Sequence, residues 1–125
     1  MKISTKTRYG LIAMIYLKDN KLSSIKKISK EEKIPENYLA KIFLTLKKAG
    51  LLKVKRGTTG GYFLSKPANQ IKIGQIIKAL EKKILPVACM ENICPKQSVC
   101  KAKKIWFKIY KTWFSSLNSL TLADA

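Results

Sequence analysis

The stretch LLKVKRGTTGGYFLS, residues 51–65, limits the fold more than any other part of the chain. Leu52 and Val54 alternate with lysines, the turn RGTTGG follows, and Tyr62, Phe63 and Leu64 bring apolar side chains back. Strand, glycine turn and strand read as a β-hairpin. What such a hairpin belongs to depends on the segments before it.

Those segments all read as helix. STKTRYGLIAMIYLKDN opens on the N-cap candidate Ser4, and its apolar residues fall at Tyr9, Ile12, Tyr16 and at Leu11, Met14, Ile15. KLSSIKKISKEEK predicts a second, short helix capped by Ser23 or Ser24, with Ile25 and Ile28 facing inward. Pro35 then breaks the chain, because proline can open a helix but not sit inside one. ENYLAKIFLTLKKAG shows Leu39, Ile42, Phe43 and Leu46 at helical spacing and closes on lysines and Gly50, the favoured polarity for a helix end. After the hairpin, IKIGQIIKALEKK predicts a short helix with Ile73, Ile76, Ile77 and Leu80 on its apolar face. An irregular segment with Pro86 and Pro95 comes next, then a long helix in KAKKIWFKIYKTWFSSLNSL; Thr121 and Asp124 stand at capping-box spacing for one further turn. The fold class is mostly α: a winged helix–turn–helix with a two-stranded wing and a long C-terminal helix, in which the second helix of the pair enters the major groove.

The formal net charge of +19 agrees with that architecture, since so strong a self-repulsion calls for a polyanionic partner such as nucleic acid. Of the 26 basic residues all but Arg8 and Arg56 are lysine. If residues 36–48 form the recognition helix, burial of its apolar side leaves Glu36, Asn37, Tyr38, Lys41 and Thr45 for the groove. Asn37 suits an adenine edge, Lys41 a guanine or phosphate, and the Tyr38 hydroxyl a phosphate. On the wing, Arg56 is flanked by Lys53, Lys55, Thr58 and Thr59, and its glycines allow close approach to a minor groove where a guanidinium can insert. The aromatic-rich last helix argues for a partner, and homodimerisation through Trp106, Ile109, Trp113 and Leu117 would pair two recognition helices on a palindromic site in double-stranded DNA. Packing of the same helix on the first helix is expected alongside.

The three cysteines, Cys89, Cys94 and Cys100, lie within CMENICPKQSVC, in a chain without histidine. Taken alone they suit a soft-metal site, a redox pair or core packing. The chain opens on no secretory signal and contains no apolar run of about 18 residues, so a cytoplasmic protein with reduced thiols and no membrane span is expected. An enzyme is not expected, because no nucleophile has an evident base.

MKISTKTRYGLIAMIYL, IPENYLAKIFLTLKKAGLLKVKRGTTGGYFLS, the cysteine trio and LTLAD, in this order, resemble the bacterial IscR/NsrR/CymR family of winged-helix transcription regulators, the Rrf-two family. The resemblance implies a dimeric DNA-binding regulator, with helix positions at Asn37, Tyr38 and Lys41 and a wing position at Arg56. It also implies an iron–sulfur cluster, [2Fe-2S] or [4Fe-4S], on Cys89, Cys94 and Cys100, whose state tunes operator binding. Family members that sense cysteine metabolism through a partner enzyme lack the trio, so this chain is similar to the cluster-binding branch. It departs from that branch at the fourth ligand. Lys103 stands where IscR-like proteins have histidine, Arg8 stands where NsrR-like proteins have aspartate, and the first cysteine gap is one residue shorter than in IscR. Glu91, within the cysteine segment, is the candidate replacement, with Glu81 second. The expected division is a DNA-binding domain at 1–82, a cysteine loop at 83–101 and a dimerisation helix with tail at 102–125. The competing readings are a thiol-redox or zinc-dependent regulator and a general nucleic-acid-binding protein with little sequence preference.

Overall fold

The computed structural model describes residues 3–82, 84 and 100–125. The order of elements is α1 (Thr5–Asn20), α2 (Ile25–Glu32), α3 (Glu36–Lys48), β1 (Leu52–Lys55), β2 (Gly61–Leu64), a 3-10 turn (Ala68–Gln70), α4 (Ile73–Leu80), α5 (Lys103–Ser119) and a last 3-10 turn (Leu122–Asp124). This is a winged helix–turn–helix followed by a long C-terminal helix, as the sequence predicts. The irregular segment with Pro86 and Pro95 falls outside the described residues, and so do Cys89, Cys94 and Glu91. Among the described residues no helix is long and apolar enough to cross a membrane.

Local chemistry sets the helix starts. The Ser4 hydroxyl accepts from the Thr7 N–H at 3.3 Å to cap α1, and Ser24 accepts from Lys27 N–H at 3.2 Å to cap α2. Ser23, the other cap candidate, has a different task. Its N–H donates to the Tyr62 carbonyl at 3.1 Å and its carbonyl accepts from the Tyr62 N–H at 2.8 Å, which adds a rung to the wing sheet. The strands are antiparallel, with Leu52 opposite Leu64 and Val54 opposite Tyr62. Lys33 closes α2 in the left-handed region, at φ 55° and ψ 44°, and Ile34 and Pro35 carry the chain into α3.

One apolar core joins these elements. Leu39, Ile42, Phe43 and Leu46 of α3 are fully buried, as their spacing predicts, and Ile28, Ile76 and Leu80 join them. On α1 the buried set is Thr7, Gly10, Ala13, Met14, Tyr16 and Leu17, while Tyr9, Leu11, Ile12 and Ile15 are only half-buried. The helix is therefore rotated from the expected stripe toward its small residues. Gly10 gives the reason: a Cβ there would stand 2.2 Å from Leu80 Cδ1, so α1 and α4 meet where the side chain is missing.

Two ends differ from expectation. α4 stops at Leu80 rather than running through the following lysines, and Glu81 turns extended at φ −94° and ψ 124°. α5 packs in the chain against α4, where Gly74 lies beneath Leu117 and Asn118, whereas packing on α1 is expected from the sequence alongside dimerisation. The last turn forms with its capping box: Thr121 N–H donates to Asp124 Oδ2 at 2.7 Å, and Leu122 is fully buried beside Ile71.

Candidate nucleic-acid interface

The outward face of α3 follows from what the core takes. Asn37 and Lys41 are exposed, in keeping with a groove-facing role. Tyr38 is half-buried, its ring edge-on to Tyr9 with centroids 5.8 Å apart, so any contact it makes is through its rim. Thr45 is half-buried, and its hydroxyl donates to the Lys41 carbonyl at 3.1 Å inside its own helix. Of the four expected positions, Asn37 and Lys41 are thus exposed, while Tyr38 and Thr45 are half-buried. Leu44, half exposed at 50%, occupies the same face, and its apolar character gives no hydrogen-bonding signal in the sequence.

The wing is fixed to this helix by Phe43 and Tyr62, whose ring centroids are 4.8 Å apart. Lys53, Lys55, Arg56, Thr58 and Thr59 are all exposed at or near its tip. Gly60 makes the turn possible, because a Cβ there would lie 2.0 Å from the Lys55 carbonyl oxygen, and Gly57 adopts φ 110°. Arg8, the other arginine, lies with its guanidinium 5.5 Å from the Tyr9 ring centre. Arg8, Tyr9 and Tyr38 thereby link the start of α1 to the start of α3. Among the described residues one ion pair forms, Lys18 with Asp19 at 3.5 Å, so the excess positive charge is left facing outward.

At the border of the cysteine segment, Glu81 is engaged. Its Oε1 accepts from the Ser4 N–H at 2.7 Å and from the buried Thr7 hydroxyl at 2.8 Å. Burial pushes its carboxyl up, but the hydrogen bonds from Ser4 and Thr7 and the charge of Lys6 outweigh this and hold its pKa below the usual value. Glu81 is thus a clamp on α1, which argues against it as a replacement ligand. Cys100 is a half-buried free thiol just ahead of α5. Among the described residues no three His, Cys, Asp or Glu side chains gather as a metal site, and two of the three cysteines lie outside them.

The dimer candidates lie along α5, a helix without a fully buried residue. Trp106, Trp113 and Leu117 are half-buried. Ile109 is exposed and, with Ile105, Thr112, Trp113 and Ser116, lines a shallow open groove beside them. Ile105 and Phe107 are more exposed than any of the residues singled out from the sequence, at 60% and 45%.

A helix pair joined by a short turn, a second helix with one exposed side and a basic wing docked against it define a winged-helix protein of the DNA-reading class. The family profile described as "Rrf2: Iron-dependent Transcriptional regulator" matches residues 3–125. Protein rrf2 of Nitratidesulfovibrio vulgaris (strain Hildenborough) is 36% identical over 129 aligned residues, covering 99% of this chain and 86% of that protein. The structure of CymR (YrzC), the global cysteine regulator of B. subtilis, matches with a TM-score of 0.83 at 36% identity, over 99% of this chain and 95% of that one. T. potens IscR matches with a TM-score of 0.77 at 34% identity, over 99% and 85%. The chain belongs to the Rrf2 family of transcriptional regulators.

Proposed function

We propose that this protein is a cytoplasmic, sequence-specific transcriptional repressor that binds a palindromic operator as a homodimer, with DNA affinity tuned by an iron–sulfur cluster on Cys89, Cys94 and Cys100. The observation that carries the DNA half is the exposed set of Asn37, Lys41 and Arg56 on a helix and wing locked together by Phe43 and Tyr62. Asn37 and Lys41 read base edges from α3, while Arg56 enters the minor groove and Lys53, Lys55, Thr58 and Thr59 hold the flanking phosphates. Dimerisation through the open side of α5 covers apolar surface that a single chain leaves wet and sets the spacing of the two reading heads.

The donor set supports the cofactor half. Three thiolates suit a cluster, whereas structural zinc wants four ligands of the Cys or His kind. Glu81 is engaged by Ser4 and Thr7, and Arg8 lies over Tyr9, so the fourth position falls to Glu91 or to a molecule that is not part of the chain. When bound, the cluster supplies a centre responsive to oxidants, nitric oxide or iron supply. Linkage limits its effect on DNA to the difference in its affinity for the two arrangements of the dimer. The second reading is a thiol-redox or zinc-dependent regulator without a cluster; its thiol-redox form is favoured by the departure at the fourth-ligand positions, since a disulfide needs no fourth ligand.

The deciding experiment combines anaerobic purification with DNA binding. Iron and sulfide in stoichiometric amounts are expected in the native protein, and Cys94→Ala is expected to be colourless yet folded. Equal iron in both proteins removes the cluster site, and zinc or a disulfide in place of iron supports the second reading. On DNA enriched from a random pool, Arg56→Ala is expected to weaken binding about tenfold, against little change for the exposed Lys82→Ala. Equal losses would take the wing out of the interface. Steep salt dependence without enrichment of any sequence would mark a general nucleic-acid binder instead.

A further inference from the structure

Hydrogen bonding does not account for one residue on the outward side of α3. Leu39, Ile42, Phe43 and Leu46 define the buried side, all at 0% exposure. At about 3.6 residues per turn, Asn37, Leu44 and Lys48 point almost directly away from it, with Lys41 just beside them. Leu44 is half exposed, and Lys41 and Lys48 are exposed on either side of it along the helix. A single exposed leucine elsewhere would need no explanation. This one shares the outward side of α3 with Asn37 and Lys41, where Thr45 has turned its hydroxyl to the Lys41 carbonyl and Tyr38 is packed on Tyr9.

The major groove presents one apolar group at its floor, the C5-methyl of thymine, between walls of phosphate. A leucine flanked by two lysines matches that arrangement: apolar toward the base, cationic toward the backbone. A protein partner would have to meet the same two cations at its centre, and interface cores are depleted of lysine. We infer that Leu44 is a specificity-determining residue that selects thymine at one position in each half-site by packing against its C5-methyl group. The inference rests on the reading of α3 as the recognition helix.

The test replaces thymine by uracil, which removes the methyl and leaves every base-pairing and groove hydrogen-bonding atom in place. DNA enriched by the wild-type dimer from a random pool is resynthesised with deoxyuridine at one symmetric pair of positions at a time, and affinity is measured at fixed salt. Wild type is expected to lose about fourfold per methyl at one thymine position of each half-site. Leu44→Ala, at an exposed position that the fold does not depend on, is expected to bind the thymine site more weakly and to treat uracil and thymine alike there. Indifference of the wild type to uracil at every position, or full discrimination retained by Leu44→Ala, overturns the role of Leu44 and leaves the regulator reading intact. Failure to enrich any sequence overturns that reading itself, and the inference with it.

Discussion

Lys33 holds φ 55° and ψ 44° in the turn between α2 and α3, a conformation in which a side chain crowds the following carbonyl. Glycine escapes that crowding at the cost of a more flexible unfolded chain. Lys33→Gly is therefore expected to stabilise the protein by roughly 0.5–1 kcal/mol, read as a higher urea midpoint at unchanged slope. A lower midpoint would mean that the exposed lysine makes up for its backbone strain in some other way. Gly60 is the opposite case. Its hydrogen occupies space in which any Cβ would meet the Lys55 carbonyl, so Gly60→Ala is expected to distort the wing tip and lower DNA affinity while the helical core stays intact. Retained affinity together with an unchanged far-ultraviolet spectrum would show that the tip conformation is not needed for binding.

Between elements, the junction of α4 with α1 is the most chemically specific. Glu81 leaves the helix, turns extended and accepts two hydrogen bonds from the first turn of α1 and its cap residue, Ser4 and Thr7. Its carboxyl titrates below the usual 4.5 in the folded protein, so the unfolded chain takes up the proton first as pH falls. The stabilisation is fully present above the unfolded pKa and is lost as pH drops through the folded one. Glu81→Gln is thus expected to lower the melting temperature near neutral pH, with the gap to wild type closing as pH falls below the ordinary glutamate range. A gap that stays constant with pH would show that the carboxylate charge contributes nothing to the clamp.

The whole molecule carries a +19 charge, a single ion pair among its described residues, and a final helix with one side left to solvent. A chain of this size gains from covering Ile105 and Ile109, and a second copy supplies a matching surface. Ile109→Glu places a carboxylate in that seam at a position the single chain already exposes, so the fold is expected to survive while the dimer dissociates. Sedimentation at micromolar concentration is expected to give a monomer, with operator affinity down by a factor of ten or more, since one head loses the effective concentration of the other. A dimer that persists in this variant would move the interface elsewhere.

The element order was legible in the amino-acid chain because the signals were local. Ser4 and Ser24 cap their helices, Pro35 and Gly50 bound α3, and RGTTGG turns the wing. The buried set of α3 was equally plain, since four large apolar residues at helical spacing leave one possible inward side. The rotation of α1 was not legible, because that helix is apolar nearly all round and its position is set by Gly10 meeting Leu80. Nor was the pairing of Ser23 with Tyr62, the clamp of Glu81 on Ser4, or the packing of α5 on α4. Local pattern by itself determined which segments are helix or strand and which residues bear charge. Only the tertiary structure decided which faces meet and which stay open, because those choices depend on the fit between surfaces far apart in the chain.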